Sequence, residues 1–278
     1  MMSGLTVHTH AVLALGVLFA LVAAPARAQF QPRKLNDLAT GETYHIEAAA
    51  GFWFPTADLS VSSQSLGIIG STIDFKKDLG LQDQRFPELH LELRPARSHK
   101  FRFQYIPIKY DQSSTLARDI VFNGQRYRLG LPVNSTLDWK AYRVGYEYDF
   151  VTVNRGYAGF ILDFKYTDVA VNLASPLVTE FASARAPIPA IGGVGRVYVV
   201  PNISITAEVT GLPEGIVKKL SKNDTGHYID VDAYGTLNVT NYVGVQAGYR
   251  SFDVGYVVKT DSGSFVLSGL FVGVVARY

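Results

Sequence analysis

The segment Glu88-Leu-His-Leu-Glu-Leu-Arg-Pro95 alternates an ionisable residue with a leucine or, at its end, a proline. A β-strand repeats every two residues, so Leu89, Leu91 and Leu93 fall on one face and Glu88, His90, Glu92 and Arg94 on the other. The alternation recurs along the chain. Tyr44, Ile46, Ala48, Ala50, Phe52 and Phe54 oppose His45, Glu47 and Trp53. Phe101, Phe103 and Tyr105 oppose Arg102 and Gln104, and a change of parity to Ile108 and Tyr110 predicts a bulge at Pro107. Tyr142, Val144, Tyr146, Tyr148 and Phe150 oppose Arg143, Glu147 and Asp149, while Phe160, Leu162, Phe164 and Tyr166 oppose Asp163 and Lys165. Four further segments set Arg196, Glu208, the pair Asp230 and Asp232, and Arg250 against apolar neighbours, and a last apolar face runs from Val266 to Tyr278.

These segments make about ten strands, and their connections alternate in length. Pro95 to Lys100, Thr152 to Gly156, Pro201-Asn202 and Thr240-Asn241 are tight turns, whereas long polar stretches begin at Pro55, Asp111, Asp168, Leu212 and Asp253. Short turns at one end and long loops at the other are the pattern of a transmembrane β-barrel. The predicted fold is all-β: one antiparallel barrel over residues 42–278 with short periplasmic turns and long extracellular loops, eight or twelve strands also fitting the parity shifts at Pro107 and Asp168. Asn123-Gly124 predicts a type I′ hairpin extending the wall of the second loop outward. Pro213 to Lys222 has the spacing of a short amphipathic helix, and Ser71 to Leu81 reads as a solvated loop, an ordered lid in the barrel mouth or a surface recognition element.

Two-sheet sandwiches in water also bury one face of every strand. Here the polar faces carry Glu47, Glu88, His90, Glu92, Arg94, Arg102, Arg143, Glu147, Asp163, Lys165, Arg196, Glu208 and Arg250, a mixture suited to an enclosed, ion-paired lumen. The apolar faces gather aromatic residues near strand ends, as interfacial girdles do. In lipid, closing the sheet pairs every backbone donor.

Composition narrows the class. Of 278 residues, 47% are hydrophobic and 18% charged, yet outside the N-terminus no apolar run approaches the ~20 residues of a membrane helix. Lysine and arginine exceed the acids by two, with no basic block, so a nucleic-acid partner gets no support. The lack of cysteine excludes disulfides and thiol chemistry. The apolar run Ala11 to Ala24, then Pro25 and Ala26-Arg27-Ala28, predicts a secretory signal over 1–28 cleaved after Ala28, followed by a periplasmic segment over 29–41.

With these features the chain resembles the small outer-membrane β-barrels of Gram-negative bacteria. The most specific element is the terminal Phe-Val-Gly-Val-Val-Ala-Arg-Tyr, similar to the signal read by the barrel-assembly machinery, with Gly273, Ala276 and Tyr278 at its glycine, hydrophobic and aromatic positions. The resemblance implies outer-membrane lipid, lipopolysaccharide and that machinery as partners, and a range of functions: structural barrels, adhesins, pores, omptin proteases and lipid A deacylases. Omptins use acidic pairs and a histidine at the rim; the nearest equivalent here is His227 near the rim with Asp230 and Asp232 on the lumen face, but the two acids also read as ordinary members of a charged lumen face and His227 differs from both in parity. No metal-ligand spacing, phosphate loop or dinucleotide fingerprint implies a cofactor. The expected function is a non-enzymatic barrel, binding an external ligand or passing small solutes through a narrow pore; the alternative is a rim hydrolase.

Overall fold

The computed structural model describes residues 38–62, 70–176, 179–212, 225–258 and 261–278. The signal over 1–28, most of the 29–41 segment and the helix expected over Pro213 to Lys222 lie outside the described residues. Ten long strands form the wall: β1 (Ile46–Ser62), β3 (Phe86–Ala96), β4 (His99–Thr115), β7 (Pro132–Val153), β8 (Gly156–Ala174), β9 (Thr179–Val200), β10 (Ile203–Leu212), β11 (Thr225–Asn238), β12 (Val243–Val258) and β13 (Asp261–Arg277). Each pairs antiparallel with its neighbours, and β1 pairs with β13 from Glu47↔Arg277 to Ser62↔Ser262, which closes the barrel. Three short strands, β2 (Ile73–Asp74), β5 (Ile120–Phe122) and β6 (Gln125–Tyr127), lie in the connections at the end away from Tyr278.

The two-residue period sets the faces. Phe52, Leu89, Phe101, Leu162, Ile205 and Leu270 point outward and are exposed, while Glu88, Arg143, Glu147, Asp163, Lys165, Glu208 and Arg250 point inward and are buried. Outward rings meet across strands: Tyr105 stacks on Tyr142 at 4.8 Å between centroids, and Phe101 and Tyr148 pack on Tyr146 and Phe160 at 5.6 Å.

Several local expectations are corrected. The β4–β7 ladder runs unbroken through Pro107↔Lys140, so there is no bulge; Ile106, Ile108 and Tyr110 continue the inward face of Arg102 and Gln104. The segments after Asp168 and Asp253 are strand rather than loop, because β8 and β9 pair up to Ala174↔Thr179 and β12 and β13 up to Val258↔Asp261. Asn123 and Gly124 do adopt the positive φ of a type I′ turn, 49° and 80°. Their hairpin, however, forms its own two-stranded sheet and buries Ile120, Phe122 and Tyr127, so it folds over the mouth instead of extending the wall. Tyr44 precedes the first strand and turns inward, 4% exposed, to donate to Glu92.

Candidate functional site

The interior has two layers of different chemistry. Nearer the Tyr278 end it is ionic. Lys100 Nζ meets Glu147 Oε1 at 2.6 Å and Asp149 Oδ2 at 3.0 Å. Glu208 bridges Arg102 and Arg143, and Arg143 Nε reaches Asp163 Oδ2 at 2.6 Å. Asp230 accepts from Lys165 Nζ at 2.7 Å and Arg250 Nη2 at 2.8 Å, and the Tyr228 hydroxyl also donates to it. Arg250 approaches Glu88 at 3.7 Å and Asp232 at 3.6 Å, and Gln104 links it to His90. An isolated charge in such surroundings is costly, so acids and bases interleave on neighbouring strands. A cavity of about 50 Å³ lies among these groups.

The base of the barrel is closed by the chain that leads into β1. Glu42 enters the lumen, taking Arg196 Nη1 at 3.2 Å and the Tyr198 hydroxyl at 2.8 Å, while Arg94 Nη1 donates to its backbone oxygen at 2.8 Å. Thr40 N donates to Pro201 O and Ala39 N to Asn154 O, which fixes the segment across two turns. Arg277, beside Tyr278, pairs with Glu47. Residues 38–42 therefore form the barrel's floor.

Towards the other end the interior becomes apolar. Trp53, Ile106, Ile108, Trp139, Phe252, Phe265 and Leu267 form one buried cluster, with Trp139 packed on Phe252 at 5.0 Å and on Phe265 at 5.6 Å. Residues 70–85 close over it. This lid inserts Ile73, Phe75, Leu79 and Leu81, and the β5–β6 hairpin adds Leu116, Ile120, Phe122 and Tyr127. Arg118 joins hairpin to lid: its Nε and Nη2 reach Asp78 Oδ1 and Oδ2 at 2.7 and 2.6 Å, and Nη2 also donates to Thr72 O at 2.7 Å. Burial alone would raise the Asp78 carboxyl, but the Arg118 guanidinium and the Asp74 N–H hold it below its ordinary value. Of the three readings of Ser71 to Leu81, the structure shows the ordered lid.

His227, Asp230 and Asp232, the nearest equivalent of a rim hydrolase site, do not come together, in keeping with the difference in parity between the histidine and the two acids. Asp230 and Asp232 point into the lumen, whereas His227 points outward, its Nε2 3.0 Å from Asp253 Oδ1. The His227 ring lies over Gly255, where an added Cβ would come within 2.3 Å of Cε1. The cause is parity: residues 227 and 230 of one strand face opposite sides. Glu47, Glu88, His90, Glu92, Arg94, Arg102, Arg143, Glu147, Asp163, Lys165, Arg196, Glu208 and Arg250 all face inward. Gly273 sits opposite Gly51, and Ala276 and Tyr278 face outward. Sequence reasoning passed over Lys100, which shares the parity of Arg102, and Arg277, which shares that of Val275; Glu42 carries no periodic signal because it precedes the first strand.

The architecture is similar to that of the outer membrane protease OmpT from Escherichia coli, with a TM-score of 0.55 at 9% identity, covering 87% of this chain and 99% of that one. The fold is that of the outer-membrane β-barrels. The Pseudomonas putida toluene transporter TodX aligns at a TM-score of 0.37 and 9% identity over 84% of this chain and 90% of its own. The attachment invasion locus protein Ail of Yersinia pestis aligns at 0.35 and 8% identity over 84% and 97%. No protein-family model and no curated protein sequence matches the chain.

Proposed function

We propose that this protein is a closed outer-membrane barrel that works at the cell surface as a binding protein and does not conduct solutes. On this reading residues 38–42 and Tyr278 lie at the periplasmic face and the lid at the outer face. The observation that carries it is the stack of seals along one axis: floor segment, ionic layer, apolar layer and lid. A solute would have to cross an ion-paired lumen and then a dehydrated apolar core, and each imposes the barrier the other would relieve.

The partners on this reading are outer-membrane lipid and lipopolysaccharide around the wall, and the barrel-assembly machinery acting on Gly273, Ala276 and Tyr278. An external ligand would meet the lid and hairpin. A hydrolase at the rim has less support, because His227 and the two lumen aspartates face opposite sides of β11.

Planar-bilayer recordings test the proposal. The purified full-length chain is expected to show no discrete conductance steps in molar potassium chloride, and a variant lacking Thr72–Leu81 is expected to leave the ionic layer still blocking. Regular steps from the intact chain would overturn the closed reading in favour of a narrow pore.

A further inference from the structure

Two polar hydrogens in the apolar layer have no acceptor among the described residues. Tyr110 and Trp139 are 1% and 2% exposed, and neither Tyr110 Oη nor Trp139 Nε1 finds a hydrogen-bond partner among the described residues. The contrast with Trp53 is informative. It is the chain's other tryptophan and equally buried, yet its Nε1 donates to Gly269 O at 3.3 Å. Tyr110 and Trp139 stand on adjacent strands, one step apart in a register that pairs Tyr110 with Leu137 and Ile108 with Trp139. Diagonal neighbours of this kind are about 7–8 Å apart. Two donors set in walls of Phe86, Ile108, Phe252 and Phe265 have the composition of a small-molecule site: mostly apolar, with a few polar groups that fix orientation.

The lid is the part of the wall built to yield. β1 pairs with β3 only as far as Trp53↔Phe86, and β3 with β4 only as far as Leu89↔Tyr105. Beyond those points the gap between β1 and β4 is spanned by residues 70–85. Their backbone bonds run to β1 (Phe75 N to Leu59 O, 3.0 Å) and to the hairpin (Ser71 N to Val121 O, 2.9 Å); among the described residues none joins them to β4. Phe75, Leu79 and Leu81 belong to the same buried cluster as Tyr110 and Trp139, so a lid that lifts withdraws apolar side chains from that cluster.

We propose that the apolar layer, opened by lifting the lid, binds a small, largely apolar molecule carrying one hydrogen-bond acceptor, such as a ketone, ester or ether oxygen. It enters from the lid side and accepts from Trp139 Nε1 and Tyr110 Oη. The inference rests on the surface-binding reading for the side from which the ligand arrives, and it names that ligand's chemistry.

With two tryptophans, the indole region of a nitrogen–proton correlation spectrum holds two signals, assigned with W53F and W139F. Acetophenone is the probe, and ethylbenzene is its near-isostere without the oxygen. Acetophenone is expected to move the Trp139 indole proton downfield and leave Trp53 in place, while ethylbenzene binds about five- to tenfold more weakly with no downfield shift. A tether then locates the entry. A Cβ on Gly80 would lie 3.4 Å from Ser114 Cβ, near the ~3.5–4.5 Å of a disulfide, and the chain has no cysteine to interfere, although the φ of 67° at Gly80 makes a cysteine there strained and the reduced double variant is therefore compared with the parent first. Oxidised G80C/S114C should lose the response and regain it on reduction.

A Trp139 signal unmoved at saturating acetophenone overturns the proposal, as does an equal response in the oxidised and reduced forms. Should the double variant fail to fold, as judged by its unheated mobility in SDS, the wild-type titration decides alone. The bilayer recordings fail independently: channels in the intact chain would refute the closed barrel without changing what the Trp139 signal reports.

Discussion

Lys100 is the sharpest test of how the ionic layer holds the barrel together. Its side chain is fully buried, and the ammonium lies between Glu147 and Asp149, which are 1% and 2% exposed. It also sits 3.4 Å from the centroid of the Tyr157 ring, on the axis of a cation–π contact. Lys100→Met keeps most of the volume and removes the charge. Glu147 retains Arg102 Nη1 at 3.2 Å, but among the described residues Asp149 has no second ion-pair partner. Breaking a buried pair by removing one member costs about 3–5 kcal/mol, most of it the stranded charge. The ring contact contributes on the order of 1–2 kcal/mol within that range. Urea unfolding in phospholipid vesicles, followed by the fluorescence of Trp53 and Trp139, should therefore show Lys100→Met destabilised by about 3–5 kcal/mol. Adding Asp149→Asn removes the stranded carboxylate and should restore at least about 2 kcal/mol, a coupling visible in the double-mutant cycle. The reasoning is refuted if Lys100→Met lies within about 1 kcal/mol of the parent, or if the double variant is no more stable than the single one.

The lid should respond to acid through Asp78. Its carboxyl titrates lower folded than unfolded, so the stability it lends is present above the unfolded value and is lost as pH falls through the folded one. The protection factors of amides 72–81, taken relative to the intrinsic exchange rate at each pH, should fall below about pH 4. Asp78→Asn should exchange quickly at neutral pH and lose that dependence; an unchanged acid response in the variant would assign it to another group. At the other end, Tyr278 N donates to Ile46 O at 2.8 Å, and His45 N and Ile46 N donate to Tyr278 O. Tyr278→Ala preserves these backbone bonds, so it should lower the amount assembled in the outer membrane severalfold while the protein that does assemble keeps its resistance to unfolding in SDS. Equal assembled amounts would separate Tyr278 from the assembly signal.

The strand faces were legible because the period of a strand is short and each charged lumen residue reports its own parity. Arg143 and Lys165 need no tertiary information to be placed opposite Tyr142 and Phe164. What stayed hidden depends on contacts distant in sequence. The Asp78–Arg118 clamp joins residues 40 apart in two loops, and the His227–Asp253 pair joins residues 26 apart, with Gly255 leaving room for the ring. The hairpin at Asn123-Gly124 was readable as a turn, but its orientation was not. That was decided by Ile120, Phe122 and Tyr127 finding the apolar layer, and nothing local encodes that this layer exists.

The layer itself produced the false parity shifts. Along β4 the outward face passes from Tyr105 to Lys109, while the inward face passes from Gln104 to Ile106 and Ile108. Along β8 the outward change is Tyr166 to Asp168 and the inward one Lys165 to Val171. On β12, Tyr249 gives way to Asp253 outside as Arg250 gives way to Phe252 inside. Each strand keeps its register, and both of its faces invert at about the same height. A wall with lipid outside and charge inside becomes a wall with water outside and an apolar core inside, which is an ordinary soluble barrel standing on a membrane one. Read as one pattern, the inversion looks like a slipped strand; read as two solvents, on the outer-membrane reading proposed above, it marks where the wall would leave the lipid. It also explains the closure. A strand whose outer face is wet must bury its inner one, so extending the wall beyond the lipid draws the lid and hairpin onto the core, and the same burial that stabilises the extension shuts the path through it.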